Sequence, residues 1–261
     1  MEPMANIALR AARRAGDLIV RASDELERVV VRNKNPNDYV SEVDEAAEAE
    51  IIRQLQRAYP DHAILGEESG LLGDEDAEYR WIIDPLDGTT NFLRGIPHYA
   101  VSIGCTYRGR LEHGVIVDPV RREEFVASRG RGAQLNGHRL RVSKLTSLDG
   151  ALLGTGIPFH GHEDERLDQY AGGLAKLAGQ CAGIRRMGAA SLDLAYVAAG
   201  RFDAFWEWGL SAWDMAAGAL LIREAGGLVA DIDGSDNYLD SGNIVCGNPK
   251  CFKAVLQSLK A

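Results

Sequence analysis

The chain has 261 residues, of which 46% are hydrophobic and 26% charged, so it is long enough to bury a core and too apolar to be disordered. Its net charge is −9, which argues against a nucleic-acid partner held mainly by a basic surface, because such binding depends on neutralising phosphates. No apolar run reaches the length of a membrane span, and the N-terminus lacks the apolar region of a signal peptide, so a cytoplasmic protein is expected. The four cysteines form no C-x-x-C pair and are predicted to be free thiols.

The predicted elements of the first half begin with two amphipathic helices. Apolar residues at helical spacing predict a helix over 3–23, and a second helix follows Ser41, which together with Asp44 resembles a capping box. A short strand is predicted at 63–65 and a compact apolar strand at 81–83. Further strands with short polar connections predict an antiparallel meander, at 100–107, 112–117 and 124–127.

The second half alternates helical patterns with short apolar strands. The predicted helices are 164–177, 191–199 and 213–225, and the predicted strands are 151–153 and 204–206. The composition changes near 140–150 without a Pro/Ser-rich linker. We therefore expect an α+β half over residues 1–145, with the metal-binding motifs, and an α/β half over residues 146–261, sharing a face.

The segment Asp84-Pro85-Leu86-Asp87-Gly88-Thr89-Thr90 carries the clearest chemical signal. Its two carboxylates follow a hydrophobic strand, where a proline fixes the backbone and a glycine permits an unusual turn. Carboxylate and carbonyl oxygens are hard ligands that favour Mg²⁺ or Mn²⁺, and no His or Cys competes in this segment. Taken alone, the same residues also suit an ordinary Asp-Gly turn with a helix-capping Asp.

Two other acidic segments can complete a cation site. Gly66-Glu67-Glu68-Ser69 places a carboxylate after a predicted strand, and Asp214 stands at a predicted helix start. Each has a simpler interpretation, because Glu67 can be a solvated loop acid and Asp214 can cap its helix. The case for a site rests on their combination.

Three motifs, in this order and spacing, resemble the inositol monophosphatase family: G-E-E-S at 66–69, D-P-L-D-G-T-T-N-F at 84–92, and W-D-M-A-A-G with E-A-G-G at 213–227. The resemblance covers essentially the whole chain and is closest to the bacterial SuhB-type branch, through 3–13, 132–137 and 192–201. It implies the layered αβαβα sandwich of the inositol monophosphatase and fructose-1,6-bisphosphatase superfamily, with the metal site between the two halves.

The resemblance also implies two or three Mg²⁺ ions. The first ion would be bound by Glu67, Asp84 and the backbone carbonyl of Leu86, and the second by Asp84, Asp87 and Asp214. Such a pair of ions can activate an attacking water and stabilise the leaving oxygen of an in-line displacement. A third, weaker ion is implied near Glu67.

Further roles follow from the same resemblance. Thr89 with Glu67 would orient and help deprotonate the attacking water, and the N–H groups of Gly88 and Thr89 would receive phosphate oxygens, as a helix N-terminus there would favour. Asp87 is counted among both the catalytic and the substrate-binding residues. The hydroxyl-bearing part of the substrate would contact the loop Gly188, Ala189 and Ala190 and the carboxylate of Glu207.

Three assignments have an alternative interpretation on the sequence alone. Glu207 can also be a surface acid between two tryptophans. Asp44 and Lys34 match positions near the third metal and a mobile loop, but Asp44 equally suits a helix start. Arg185 and Arg186 can face substrate, a second copy of the chain or another protein.

The resemblance implies Mg²⁺-dependent hydrolysis of myo-inositol monophosphate, or a similar small polyol phosphate, with inhibition by lithium. Fructose 1,6-bisphosphate, 3′-phosphoadenosine 5′-phosphate and histidinol phosphate remain alternative substrates, because the metal motif does not separate them. A different role is also implied, as a transcription antitermination factor contacting RNA polymerase and NusA. A homodimer is expected from the family.

Overall fold

The computed structural model describes residues 1–35, 38–157 and 163–260, with side chains for all of these except 33–35, 38–39 and 163–166. Its helices are α1 (Pro3–Ser23), α2 (Glu42–Ala58), α3 (Thr89–Leu93), α4 (Glu163–Ala178), α5 (Ala190–Ala198), α6 (Ala212–Glu224), α7 (Tyr238–Ser241) and α8 (Pro249–Lys260). A short 3₁₀ helix spans Leu26–Arg28.

The strands form three sheets in the described part of the chain. A two-stranded hairpin joins β1 (Val31–Asn35) to β2 (Asp38–Ser41). An eight-stranded sheet has the order β10-β9-β8-β7-β6-β5-β3-β4, from β3 (Ala63–Gly66), β4 (Gly70–Leu72), β5 (Tyr79–Asp87), β6 (Ala100–Tyr107), β7 (Arg110–Asp118), β8 (Glu123–Ser128), β9 (Gly132–Leu135) and β10 (His138–Arg139). A five-stranded sheet has the order β12-β11-β13-β15-β14, from β11 (Leu152–Thr155), β12 (Gly183–Arg185), β13 (Ala204–Glu207), β14 (Leu228–Ala230) and β15 (Ile244–Gly247).

The two N-terminal helices form as their sequence predicts. Alanines recur along the buried side of α1 and allow it to lie close to the sheet. The capping box at the start of α2 is confirmed: the backbone N–H of Val43 donates to Ser41 Oγ at 3.2 Å, and that of Ser41 donates to Asp44 Oδ2 at 2.9 Å. These bonds satisfy N–H groups that the helix itself leaves unpaired.

The predicted meander is confirmed, since β5, β6, β7 and β8 pair in antiparallel order. One strand differs from the prediction. β5 does not end before the Asp-Pro-Leu-Asp segment but continues through it to Asp87, with a shift of register between Asp84 and Asp87. Pro85 has no N–H to donate, so the ladder is interrupted there and resumes where Asp87 pairs with Ala100.

The elements stack in five layers, which confirms the expected αβαβα sandwich. Helices α1 and α2 pack on the outer face of the eight-stranded sheet. Helices α5 and α6 fill the middle, between the inner faces of the two sheets. Helices α4 and α8 cover the far side of the five-stranded sheet. The chain passes from one sheet to the other between Arg139 and Leu152, and the division into two halves at residue 145 stays a prediction.

The structure also bears on the predictions about disulfides and membrane spans. All four cysteines lie in the described part, and none is in a disulfide there, as predicted. Among the described helices, none combines the length and apolar character needed to cross a bilayer. The cytoplasmic location stays a prediction.

Helix α6 lies unusually close to the large sheet because the strands beneath it carry glycine. A Cβ at Gly104 would lie 2.7 Å from the Cβ of Ala216, and one at Gly114 would lie 2.8 Å from the backbone oxygen of Ala217. Both distances are shorter than a carbon side chain tolerates, so this contact needs glycine on the strands and alanine on the helix.

We predict that Gly114→Ala destabilises the fold by about 1–3 kcal/mol, because the new methyl group would push against the backbone of α6. The matched control is Gly172→Ala in α4, where nothing lies within 4 Å of the added Cβ. This control should be neutral or stabilising by up to about 1 kcal/mol, since alanine favours helix. Urea unfolding of both variants checks the difference, and equal stabilities would contradict the close contact.

Candidate active site

A cavity of about 390 Å³ opens where the end of β5 meets the middle helix layer. It is lined by residues from the large sheet, the middle helices and β13, and so lies between the two predicted halves. The sequence-predicted site residues among its lining are Glu67, Asp84, Leu86, Asp87, Gly88, Thr89, Gly188, Ala189, Ala190, Glu207 and Asp214. The structure thus brings these residues together around one space.

The interruption in β5 aims both of its carboxylates into this cavity. In a regular strand, residues three apart point to opposite faces of the sheet. The register shift between Asp84 and Asp87 breaks that alternation, and both side chains line the cavity. Asp84 also accepts a hydrogen bond from the backbone N–H of Leu86 at 3.0 Å, which fixes its carboxylate in the turn.

Asp214 both caps a helix and faces the two strand carboxylates. Its Oδ2 accepts the N–H of Ser211 at 2.7 Å in a capping box at the start of α6. Ligand oxygens of Asp84, Asp87 and Asp214 all lie within 4.8 Å of one another. Asp214 therefore does cap its helix, through Oδ2. This hydrogen bond holds the carboxylate in place within the cluster.

Glu67 is held by its neighbours in the turn after β3. Its backbone N–H donates to the carbonyl of Ile83 at 3.1 Å, which ties the turn to β5. Behind the turn, the buried carboxylate of Glu48 accepts the N–H groups of Glu68 at 3.0 Å and Ser69 at 2.8 Å. A Cβ at Gly66 would lie 2.5 Å from Glu48 Oε2, so glycine is needed for this contact.

Thr89 stands between two acceptors at the start of α3. Its Oγ1 lies 2.9 Å from Asp44 Oδ1 and 3.0 Å from the carbonyl oxygen of Leu86. Asp44 is fully buried on α2, and burial raises the pKa of its carboxyl, although bonds from Ser41 and Thr89 oppose the rise. The carboxylate in contact with Thr89 is thus Asp44, which the sequence argument placed near a third metal.

Backbone turns bring the loop at Gly88 into contact with the loop at Gly188. Gly88 has φ of 91°, a conformation that favours glycine, and a Cβ there would lie 3.0 Å from the carbonyl oxygen of His98 and 3.3 Å from that of Gly188. Asn91 fastens the same loops, because its Nδ2 donates to the carbonyls of His98 and Met187, each at 2.9 Å. Backbone carbonyls of His98 and Met187 therefore hold these two loops together through Asn91.

Three further charged side chains line the cavity. Glu207, at the end of β13, is buried, and a Cβ at Gly156 would lie 1.7 Å from its Oε1, so its carboxylate occupies the space that glycine leaves. Asp193 of α5 and Arg186 line the same region. The structure thus places Arg186 at the cavity, whereas Arg185 lies exposed on the short strand β12.

Crowding and burial shift the pKa of each acid in the cluster upward. Burial, followed by repulsion from Glu67, Asp87 and Asp214, raises the pKa of Asp84 well above its ordinary value. Burial raises the pKa of Asp87 to about 6, although hydrogen bonds from Ser191 oppose the rise. Burial and then repulsion from Asp87 raise the pKa of Asp214 to about 8.

The donor set suits a hard divalent cation. The described lining of the cavity contains no histidine or cysteine, and its convergent donors are carboxylates and the carbonyl of Leu86. Oxygen donors of this kind suit Mg²⁺ or Mn²⁺, whose charge would relieve the repulsion that raises these pKa values. The residues present therefore fit the group that the sequence implies.

Some functional residues have no motif to reveal them. Ser191 donates from its backbone N–H at 2.7 Å, and from its hydroxyl, to Asp87 Oδ2. Glu48 follows Asp44 by one helical turn, so two acids at that spacing on an otherwise apolar face were the only available signal. Lys34 lies on β1, but its side chain is outside the described residues, so its predicted role is untested.

Comparison with known proteins fits this fold and site. The model of the inositol monophosphatase family matches residues 1–260, and the chain belongs to that family of metal-dependent phosphatases. The Nus factor SuhB of Pseudomonas aeruginosa is 63% identical over 262 residues, covering 100% of this chain and 97% of that protein.

Two solved structures show the same architecture. The extragenic suppressor protein SuhB of Bartonella henselae has a TM-score of 0.95 and 43% identity, covering 99% of each chain. The inositol monophosphatase of Anabaena has a TM-score of 0.87 and 36% identity, covering 98% of this chain and 94% of that one.

The raised pKa of Asp214 predicts how the metal-free protein responds to pH. Between its ordinary value of 3.8 and about 8, the folded state holds a proton that the unfolded state releases, so stability falls as pH rises through this range. We expect a loss on the order of a few kcal/mol in EDTA between about pH 5 and about pH 8. Asp214→Asn should show a smaller loss.

Urea unfolding at the two pH values measures this effect. The matched control is Asp240→Asn, which removes an exposed acid from the first turn of α7. This control should behave as wild type. Equal pH dependence in wild type and Asp214→Asn would contradict the proposed repulsion.

Proposed function

We propose that this protein hydrolyses a phosphate monoester of a small polyol, with myo-inositol monophosphate as the favoured substrate, in a Mg²⁺-dependent reaction. The single observation that carries the proposal is the convergence of Asp84, Asp87 and Asp214 within 4.8 Å, in a cavity that Glu207 also lines. Membership of a phosphatase family supports the reaction class.

Glu67, Asp84, Asp87, Asp214 and the carbonyl of Leu86 are the groups that would hold the ions. When bound, such ions supply positive charge that attracts the phosphate, lowers the pKa of water and stabilises the leaving oxygen. Their charge also explains how a chain of net charge −9 can accept an anionic substrate. We propose two or three Mg²⁺ ions per site.

The chain's own residues would position the phosphate and the attacking water. The backbone N–H groups of Gly88 and Thr89, at the turn into α3, would donate to phosphate oxygens. The Thr89 hydroxyl would take a proton from the water as its own proton passes to Asp44 Oδ1, 2.9 Å away. The raised pKa of Asp44 suits a proton acceptor.

The reaction then balances as a hydrolysis. The water oxygen forms a bond to phosphorus as the bond from phosphorus to the ester oxygen breaks. The leaving alkoxide takes a proton from solvent water to become the free alcohol, and Asp44 releases the proton it received to solvent. Glu207 and the backbone of Gly188, Ala189 and Ala190, which line the same cavity as the acidic cluster, would hydrogen-bond the hydroxyls of the alcohol.

We predict Mg²⁺-dependent phosphate release, with myo-inositol 1-phosphate preferred over fructose 1,6-bisphosphate, 3′-phosphoadenosine 5′-phosphate and histidinol phosphate. Asp84→Asn should lower kcat/KM by about a hundredfold or more, because it removes charge from the predicted metal ligands. Lithium should inhibit in competition with the site's Mg²⁺. The measurement is phosphate release by the purified protein with Mg²⁺ and in EDTA.

Each outcome has a separate meaning. Preference for another of these substrates would keep the site chemistry and reassign the pocket. Wild-type turnover in Asp84→Asn would contradict the ligand assignment. Asp240→Asn, far from the acidic cluster in sequence and exposed, serves as the control and should retain wild-type activity.

A second role is favoured by a specific observation, the 63% identity to a relative named Nus factor SuhB. We propose that this chain also binds RNA polymerase and NusA as an antitermination factor, by protein contacts. Its acidic charge balance disfavours RNA binding driven mainly by phosphate neutralisation. The homodimer expected from the family is likewise a proposal.

We predict that Asp87→Asn separates the two roles. It should lose phosphatase activity while retaining binding to purified bacterial RNA polymerase and NusA, because Asp87 is buried in the cavity and not on an outer surface. Co-elution in gel filtration measures binding, with wild type as the reference. Absence of binding by wild type would contradict the second role, and loss in Asp87→Asn alone would couple it to the site.

A further inference from the structure

Asp193 is a buried acid at the cavity whose position the proposed reaction leaves unexplained. It lies in the first turn of α5 and is 1% exposed. It lines the cavity together with Gly188, Ala189 and Ala190. Its Oδ1 has no hydrogen-bond partner among the described residues. A buried polar atom left without a partner destabilises the fold, so a group of this kind points to a ligand or water that completes it.

A purely structural role accounts poorly for this arrangement. An acid in the first turn of a helix is stabilised by the helix dipole, but an exposed acid is stabilised in the same way without being buried. Asp193 instead lies where Glu207 and Asp87 repel it, and burial raises its pKa well above the ordinary value. Arg186 opposes that rise, which places its positive charge close to the same carboxyl.

We propose that Asp193 is a specificity-determining residue that, with Glu207, hydrogen-bonds neighbouring hydroxyls of the substrate alcohol. This inference rests on the proposed phosphatase function and extends it to the choice of alcohol. Asp193 and Glu207 come from different elements, α5 and β13, yet both line the same cavity. Two carboxyl groups that line one cavity can each hydrogen-bond a hydroxyl of a polyol. An ester whose alcohol carries no further hydroxyl has no group for them to bind.

The protonation state of these two carboxyl groups also suits hydroxyl binding. Burial raises the pKa of both Asp193 and Glu207 well above their ordinary values. A protonated carboxyl both donates and accepts, as a hydroxyl does, so each acid can pair with a sugar-like hydroxyl in either direction. An asparagine at 193 keeps both capacities, whereas alanine or leucine keeps neither.

The test compares two esters of different alcohols. For wild type and variants, kcat/KM is measured with Mg²⁺ for myo-inositol 1-phosphate and for phenyl phosphate, which carries no hydroxyl. We expect Asp193→Ala to lower the ratio of the two values by about tenfold, mainly through a higher KM for the inositol ester, as loss of a buried hydrogen bond implies. Asp193→Asn should restore most of the ratio. Asp240→Ala is the control for removing a first-turn acid elsewhere.

The outcomes are distinct. An unchanged ratio in Asp193→Ala, with both esters equally affected, would assign Asp193 a structural role and overturn the proposal. Asp193→Leu, similar in shape and apolar, carries the same test if the alanine variant does not fold. If wild type releases phosphate from neither ester, the proposed function itself fails and this inference falls with it.

Discussion

The structure depends on holding several carboxylates together in its interior against their mutual repulsion. Asp84, Asp87 and Asp214 lie close together, and each has a raised pKa because burial and neighbouring charges disfavour its ionised form. Such an arrangement costs stability, and proteins keep it where a ligand of opposite charge completes the site. A divalent cation is the natural counterpart of this oxygen-rich set.

The surrounding fold supplies the contacts that keep these acids in place. Ser191 binds Asp87, the N-terminus of α6 holds Asp214, and the buried Glu48 holds the turn that carries Glu67. Because these contacts come from the outer helices and the middle layer alike, the cavity is a property of the packed sandwich. Gly104 and Gly114 also contribute to the shape of the cavity region, since they set how closely α6, which carries Asp214, approaches β6 and β7.

Much of the fold was predictable because long elements leave clear periodic patterns. The helices α1, α2 and α6 and the meander of β5 to β8 follow from apolar spacing, caps and turn residues. Short edge strands such as β10, β12 and β14 were not predicted, since two or three residues carry no period. The extension of β5 through Asp87 was also missed, because a proline normally predicts the end of a strand.

The residues of the site were also predicted only in part. Motifs and family resemblance pointed to the acids of the 66–69, 84–90 and 213–214 segments, which the structure gathers around one cavity. Glu48 and Asp193 were not identified from the sequence, because the role of each acid depends on the elements that pack against its helix. The hydrogen bond from Thr89 to Asp44 likewise became visible only in the tertiary structure, since the two residues are 45 positions apart in sequence.

The most direct test of the central claim is to locate the cation itself. Crystals grown with Mn²⁺ would be measured at the manganese absorption edge, and anomalous peaks would show where ions bind. The account predicts a peak at coordination distance from carboxylate oxygens of Asp84, Asp87 and Asp214, and a second beside Glu67 and the carbonyl of Leu86. An empty acidic cluster under saturating Mn²⁺ would contradict it.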